Sequence, residues 1–241
     1  MLCPGCPHRG VFYTFNKLGL RVMGDIGCYT LAALPPLSAM DACLCMGASI
    51  GMAGGAERAQ GKDFSRKTVA VLGDSTFIHS GITSLIDAVY NRETITVVIL
   101  DNRITGMTGH QQNPASGKDI HGEPAPMLDL EALARACGVQ SVVVVDPFDL
   151  KALEQALREE TAREAVSVVI ARRPCALLDK AAKTPLVIEG CRNCGACMKL
   201  SCPAIERGPG GVRINPALCI GCGMGAQVCP FKAIKEGGQA Q

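Results

Sequence analysis

The sequence contains no tryptophan and only six phenylalanines and three tyrosines among 241 residues. Stacking platforms for bases or sugars are therefore scarce. Charge is also sparse. Charged residues make up 19%, and 24 Lys and Arg against 22 Asp and Glu leave a net charge of +2. No basic footprint for nucleic acid or an anionic membrane follows from that balance. No apolar run reaches the roughly 18 residues that a membrane-spanning helix needs. The stretch from Ile26 to Ala56 comes nearest, and Pro35, Pro36, Asp41 and repeated glycines break it. The start of the chain has no charged segment leading into an apolar core, so no leader is expected. These absences predict a water-soluble, cytoplasmic protein. The 48% apolar content is enough for a sizeable core, which argues against general disorder.

Cysteine is abundant, at fourteen, and seven of these fall between Cys191 and Cys229. Without a secretory leader, metal or redox chemistry is the better expectation than disulfides. Upstream of that region, β-branched runs recur at 22-VMGDIG-27, 68-TVAVLGDS-75, 94-TITVVILDN-102, 141-SVVVVDP-147 and 167-SVVIARRP-174. Each is continuously apolar, as strands covered on both faces are. Helical patterns lie between them: Ile82, Leu85, Ile86 and Val89 on one face, then Leu130, Leu133, Ala134 and Cys137 on another. Asp129 is the expected N-cap of the second, with Gly138 just past its end, and Asp149 opens a third helix carrying Leu150, Leu153 and Leu157. The alternation predicts an α/β domain with a parallel sheet and right-handed crossovers, ligands lying at the carboxyl ends of the strands.

After Thr184 cysteine, proline and glycine dominate. Residues 1–184 are expected to form the α/β domain, and residues 185–241 a small α+β domain of the 2×(4Fe-4S) ferredoxin type. The second segment is an internal duplication, 191-CRNCGACMKLSCP-203 and 219-CIGCGMGAQVCP-230. Its core is small enough that bound clusters are expected to act as staples. The first copy reads C-x2-C-x2-C-x4-C-P through Cys191, Cys194, Cys197 and Cys202, one residue longer than the bacterial ferredoxin run. The second has Cys219, Cys222 and Cys229 in register, but Gly225 stands at the third position. In two-cluster ferredoxins the last cysteine of each run ligates the other cluster. One 4Fe-4S centre is then expected on Cys191, Cys194, Cys197 and Cys229. The other set, Cys202, Cys219 and Cys222, lacks a thiolate at 225. It leaves three alternatives: a 3Fe-4S centre, a 4Fe-4S centre with a non-thiolate ligand, or no cluster. A zinc ribbon is the competing reading of the C-x2-C pairs.

Gly73-Asp74-Ser75 ends one strand and Asp101-Asn102 the next. This resembles the diphosphate signature of thiamine-diphosphate enzymes, in which a glycine-aspartate turn is followed some 25 to 30 residues later by asparagine. Mg²⁺ takes about six hard oxygen ligands. The Asp74 carboxylate, the Asn102 amide oxygen and the Ile104 carbonyl are the expected protein share. Gly73 permits close approach, and a helix opening after Ser75 presents N–H groups to phosphate.

Taken in order, 3-CPGCPHRG-10, 24-GDIGCYTLAALPPL-37, 46-MGASIG-51, 73-GDSTFIHSG-81, 101-DNRITGMTGHQQNP-114 and the cysteine-rich tail resemble one family. The chain is similar to the carboxyl-terminal part of the alpha subunit of indolepyruvate:ferredoxin oxidoreductase, among the 2-oxoacid:ferredoxin oxidoreductases. That resemblance implies oxidative decarboxylation of aryl pyruvates to acyl-coenzyme A with reduction of ferredoxin. It implies thiamine diphosphate, Mg²⁺ and 4Fe-4S clusters as cofactors. The implied partners are a smaller beta subunit, a pyrimidine-binding domain that supplies the activating glutamate, ferredoxin, coenzyme A and a 2-oxoacid. No residue here matches that glutamate, so the chain is expected to hold half a catalytic site. Thr108 and Gly109 look like the family's cofactor-loop residues, followed by His110 and Gln111. Cys3, Cys6, Cys28 and Cys175 resemble the ligands of a cluster near the thiazolium in related pyruvate oxidoreductases, and free buried thiols are the competing reading. His79 is expected either near the diphosphate or in a hydrogen-bonded structural role. Met46 and Met107 read as core filler or cofactor support, and Cys43, Cys45 and Cys137 as core. Rival functions are a pyruvate or 2-oxoglutarate oxidoreductase subunit, a non-redox thiamine-dependent decarboxylase or carboligase, and a non-enzymatic ferredoxin-type carrier fused to a structural α/β domain.

Overall fold

A computed structural model of the chain describes residues 1–178, 184–208 and 210–237. Six strands form one parallel sheet in the order β2-β1-β3-β4-β6-β5. They are β1 (Arg21–Gly24), β2 (Ala42–Cys43), β3 (Thr68–Gly73), β4 (Thr96–Asp101), β5 (Ser141–Val145) and β6 (Ser167–Arg172). The five β-branched runs each hold one of these strands. β2 lies in the glycine-rich stretch and is only two residues long.

Burial on both faces explains why the runs do not alternate. Val69, Val71, Val98, Leu100 and Val169 pack with Phe12, Phe15, Leu153 and Leu157 on one side. The intervening Ala70, Leu72, Val97, Ile99, Val168 and Ile170 pack with Ile50, Phe77, Leu85, Leu130 and Ala134 on the other. The first side is covered by α1 (His8–Leu18) and α7 (Leu150–Thr161), and the second by α2 (Ala48–Gln60), α5 (Ile82–Tyr90) and α6 (Leu130–Ala136). Single turns α3 (Lys62–Ser65) and α4 (Asp74–Thr76) precede β3 and α5, with a π-helical turn at Phe77–Gly81 between α4 and α5.

Local signals act as expected at two helix starts. The Asp129 carboxylate accepts from the Glu131 and Ala132 amides, and that of Asp149 from Lys151 and Ala152. Gly138, just past α6, has φ +97°, a left-handed conformation suited to glycine. The inward face of α5 differs from the expected one. Ile86 is 49% exposed, and the small Ala88 is buried beside Leu85 in its place. α1 and α2 are not among the expected helices: α1 is amphipathic, while α2 carries no strong periodic signal.

Among the described residues the strands after Thr184 pair with each other and not with the large sheet. β7 (Leu186–Ile188) pairs with β10 (Ile234–Glu236), and β8 (Ile205–Gly208) with β9 (Gly211–Ile214), both antiparallel. α8 (Met224–Val228) lies within the second cysteine segment, between Cys222 and Cys229. The small unit shares a core with the large one, because Phe148 and Leu150 join Leu186, Leu200, Val212, Met224 and Ile234. Gln227 clamps that seam, accepting from the Leu150 amide at 3.0 Å and donating to the Phe148 carbonyl at 2.7 Å. Among the described residues no helix is long and apolar enough to cross a membrane.

Candidate functional site

β1, β3 and β4 are adjacent, and the chain leaves β1 and β3 in opposite directions across the sheet, so their carboxyl ends flank the crevice where open α/β sheets bind ligands. A cavity of about 120 Å³ opens there. Its walls come from the segments after those strands: Ile26–Tyr29, Gly73–Thr76 and Asn102–Thr108.

Of the residues expected at the cofactor site, Gly73, Asp74, Ser75, Asn102, Ile104 and Thr108 line this cavity. The helix opens two residues earlier than expected, at Asp74 itself rather than after Ser75, with Gly73 as its cap. Asp74 is 2% exposed. Its carboxylate accepts from the amides of Ser75 at 2.6 Å and Arg103 at 2.8 Å, and from the Asn113 side chain at 3.3 Å. Those bonds do not offset its desolvation. Burial pushes the carboxyl up to about 7, and the neighbouring Asp101 adds to the rise. A cation beside it would restore the charge. Asn102 Oδ1 accepts from the Ile104 amide at 3.3 Å, so these two residues share one tight turn. Among the described residues no donor reaches the buried Ile104 carbonyl. A carboxylate, an amide oxygen and an unengaged carbonyl on one wall are a hard-oxygen donor set of the kind Mg²⁺ takes.

Three residues that sequence reasoning did not single out complete this wall. Tyr29 accepts the Gly73 amide at 2.9 Å, and a Cβ on Gly73 would lie 3.1 Å from its ring. That contact gives Gly73 a steric reason to be glycine. Asn113 ties Asp74 to the far end of the loop. His8 stacks edge-on to Tyr29 and lies 3.4 Å from the Asn102 amide nitrogen. Burial lowers His8 to about 4, so it stands neutral between two cavities. Asp25, wholly buried, accepts from the amides of Ile26 and Gly47 and holds the β1 loop against the start of α2.

The second cavity, about 230 Å³, lies behind His8 and is lined by Cys3, Cys6, Cys28 and Cys175 together with Met107 and His110. The Cys175 amide donates to the Asn102 carbonyl at 2.9 Å, which couples this thiol group to the oxygen-donor wall. Burial raises Cys6 to about 12, and burial also raises Cys28 and Cys175, the nearby thiols adding to each effect.

In the small unit Cys191, Cys194, Cys197 and Cys229 line one cavity. Burial works to raise Cys229, but the backbone N–H groups of Ala233, Phe231, Ile234 and Lys232 outweigh it and hold the thiol low. The Ala233 amide lies 3.3 Å from its sulfur, and Asn193 makes the same contact with Cys191. Such N–H···S contacts suit thiolates ligating a cluster. Cys202, Cys219 and Cys222 form a second group in which burial raises Cys222 and the other two thiols add to the rise. A Cβ on Gly225 would meet Ile234 and Leu186 at 3.5 to 3.7 Å, ordinary contacts. All fourteen cysteines are thiols rather than disulfides.

Several other expectations meet a different environment. His79 is exposed, bonds Ser80, and does not line the cavity. Gly109 and Gln111 are exposed and outside its walls; Gln111 instead closes the loop through two bonds with Thr108. Met46 and Met107 do line it, both largely exposed rather than core. Cys45 is exposed because it sits in the turn before Gly47, and Cys43 and Cys137 are half-buried.

Comparison with known proteins bears on the fold and the family. Residues 25–171 match the family described as thiamine pyrophosphate enzyme, C-terminal TPP binding domain, and residues 212–235 match the 4Fe-4S binding domain. The chain is 41% identical over 248 residues to indolepyruvate oxidoreductase subunit IorA of Archaeoglobus fulgidus, covering 98% of this chain and 39% of that protein. It is 43% identical over 251 residues to the protein of the same name from Methanothermobacter marburgensis, covering 99% and 40%. The chain thus spans about two fifths of the length of these relatives. In fold it is similar to a 2-oxoglutarate:ferredoxin oxidoreductase from Magnetococcus marinus, with TM-score 0.63, 18% identity, and coverage of 89% of this chain and 81% of that one. A thiamine diphosphate-dependent 4-hydroxybenzoylformate decarboxylase from Rhodococcus jostii shares the fold over 72% of this chain and 33% of its own, with TM-score 0.52 and 18% identity. With a matching domain over more than half its length, the chain belongs to the thiamine pyrophosphate enzymes that carry this C-terminal TPP-binding domain.

Proposed function

We propose that the chain anchors the diphosphate of thiamine diphosphate through Mg²⁺ and conducts electrons away from it, as part of an oxidoreductase that converts aryl pyruvates such as indolepyruvate to acyl-coenzyme A and reduces ferredoxin. The observation that carries this reading is the adjacency of two cavities across His8, one walled by Asp74, Asn102 and Ile104, the other by four cysteines. When bound, thiamine diphosphate supplies the electron sink for loss of CO₂ from a 2-oxoacid, and iron–sulfur centres take up electrons one at a time.

The residues of this chain position and insulate. Asp74, Asn102 and the Ile104 carbonyl would hold the metal, and Gly73, Ser75 and Thr108 would approach the diphosphate. Tyr29 and Asn113 lock the two turns that carry those ligands. Cys28 lines both cavities and sits between the cofactor and the remaining thiols. Cys3, Cys6, Cys28 and Cys175 form a proximal centre; Cys191, Cys194, Cys197 and Cys229 a complete 4Fe-4S centre; and Cys202, Cys219 and Cys222 a centre with one non-thiolate position. The pyrimidine end of the cofactor and its activating glutamate come from a separate domain, a smaller subunit completes the enzyme, and cytoplasmic ferredoxin takes the electrons.

Anaerobic purification with iron, sulfide and thiamine diphosphate quantified per chain, followed by EPR of the oxidised and reduced forms, tests this reading. A brown protein that retains the cofactor in the presence of Mg²⁺ is expected, and these 241 residues alone should decarboxylate no aryl pyruvate. A colourless, iron-free protein that still binds thiamine diphosphate would favour a non-redox decarboxylase, and a brown one that never binds it an electron carrier.

A further inference from the structure

Arg9 is the largest fully buried side chain, with no exposed surface. A buried guanidinium costs several kcal/mol unless a counter-charge lies near it. Among the described residues no carboxylate pairs with Arg9. Its partners are neutral carbonyls. Nη2 donates to Leu2 at 2.7 Å and Cys3 at 2.9 Å, and Nη1 to Leu200 at 2.8 Å and to Ser201. One planar fork therefore joins the loop of Cys3 and Cys6 to the residues just before Cys202. Its Nε–H, also buried, has no partner among the described residues. Burial pulls the guanidinium down, and the charges that act against that are thiol groups, led by Cys202, then Cys6, Cys222 and Cys3.

A second contact holds the same two loops together. Gly5, between Cys3 and Cys6, has φ +63°, and a Cβ there would lie 2.0 Å from Ile220, between Cys219 and Cys222. Gly5 and Ile220 thus bring the two C-x2-C loops into close contact, and Arg9 bonds the first of them through the Leu2 and Cys3 carbonyls.

Resting on the reading of these cysteines as iron–sulfur ligands, we infer that Arg9 is the buried counter-charge of the centre held by Cys202, Cys219 and Cys222, and that it sets that centre's potential while fixing its position against the Cys3–Cys6 loop. Reduction adds one electron and no proton to the centre. The nearby cation stabilises that extra negative charge, so Arg9 raises the potential. Arg9 is thus a positioning and electrostatic residue that touches neither substrate nor thiamine.

The test is an EPR-monitored redox titration of anaerobically purified full chain, with dithionite as reductant and the signal assigned by its disappearance in Cys222→Ala. Arg9→Met should keep wild-type iron and sulfide per chain but make one-electron reduction about tenfold less favourable, a fall of 59 mV. Arg9→Lys, which restores the charge, should recover most of that shift. Should Arg9→Met lose iron, Arg9→Gln, neutral but still a donor, carries the same comparison with Arg9→Lys. An unmoved potential in an iron-replete neutral variant overturns the inference alone. Absence of any iron–sulfur signal in the wild type overturns the reading beneath it as well.

Discussion

Replacing Asp74 with asparagine isolates the cost of building a metal site before the metal arrives. Burial holds the carboxyl at about 7 in the folded protein without cofactor, against an ordinary value of 3.8. Between these values the folded state carries a proton that the unfolded state has lost, so stability falls as pH rises through this window. The contribution is fully present below pH 3.8 and gone above 7. From pH 5 to pH 8 it amounts to about 2.6 kcal/mol, and asparagine, neutral throughout, lacks it. For a chain of this size about 2.6 kcal/mol corresponds to roughly 5 to 10 °C in melting temperature. The assay is thermal unfolding of wild type and Asp74→Asn, anaerobic and free of thiamine diphosphate, at both pH values. The difference between the two proteins should move by that amount in favour of the variant as pH rises, because every other titrating group cancels. Adding Mg²⁺ and thiamine diphosphate should reverse the trend for wild type alone, since the metal binds the carboxylate form. Parallel melting curves at both pH values would refute the reasoning.

Two further outcomes follow from the same geometry. His8, lowered to about 4 by burial, is neutral when folded and binds a proton more readily when unfolded. Stability is therefore present above pH 6.5 and lost as pH falls toward 4, by roughly 3 kcal/mol, and His8→Gln should flatten this acid limb of the melting profile; an unchanged limb would contradict it. Gly225→Cys meets no contact shorter than 3.5 Å, and one of its neighbours, Leu186, donates its amide to Cys219 Sγ at 3.3 Å. The added thiolate should let the variant retain more iron per chain than wild type after exposure to a chelator, measured colorimetrically, and equal retention would count against the three-thiolate centre.

Much of the scaffold was legible because its cause is local. Strands buried on both faces read as continuous apolar runs, and Asp129 and Asp149 cap helices through amides two and three residues ahead. Asp74 and Asn102 were legible for a similar reason: each ends a strand, and β3 and β4 are neighbours, so sequence spacing maps onto spatial adjacency. The supporting residues were not. His8 reaches Asn102 across 94 positions, Tyr29 reaches Gly73 across 44, and Arg9 reaches Leu200 across 191. No periodicity encodes such pairs, and a motif can include the residue without revealing what it touches. α1 begins with a histidine and an arginine that are both buried, the reverse of the usual surface pattern. Ile86 lies outward on α5 although it is apolar, because the small Ala88 suits the close packing of that helix face.

The most direct test of the account is calorimetric titration of Mg²⁺ and thiamine diphosphate into anaerobically purified protein, with iron measured on the same samples. Wild type should bind one cofactor per chain only when Mg²⁺ is present, and Asp74→Ala should bind none while keeping its iron. Absence of binding heat in iron-replete wild type, or equal binding by Asp74→Ala, would contradict it.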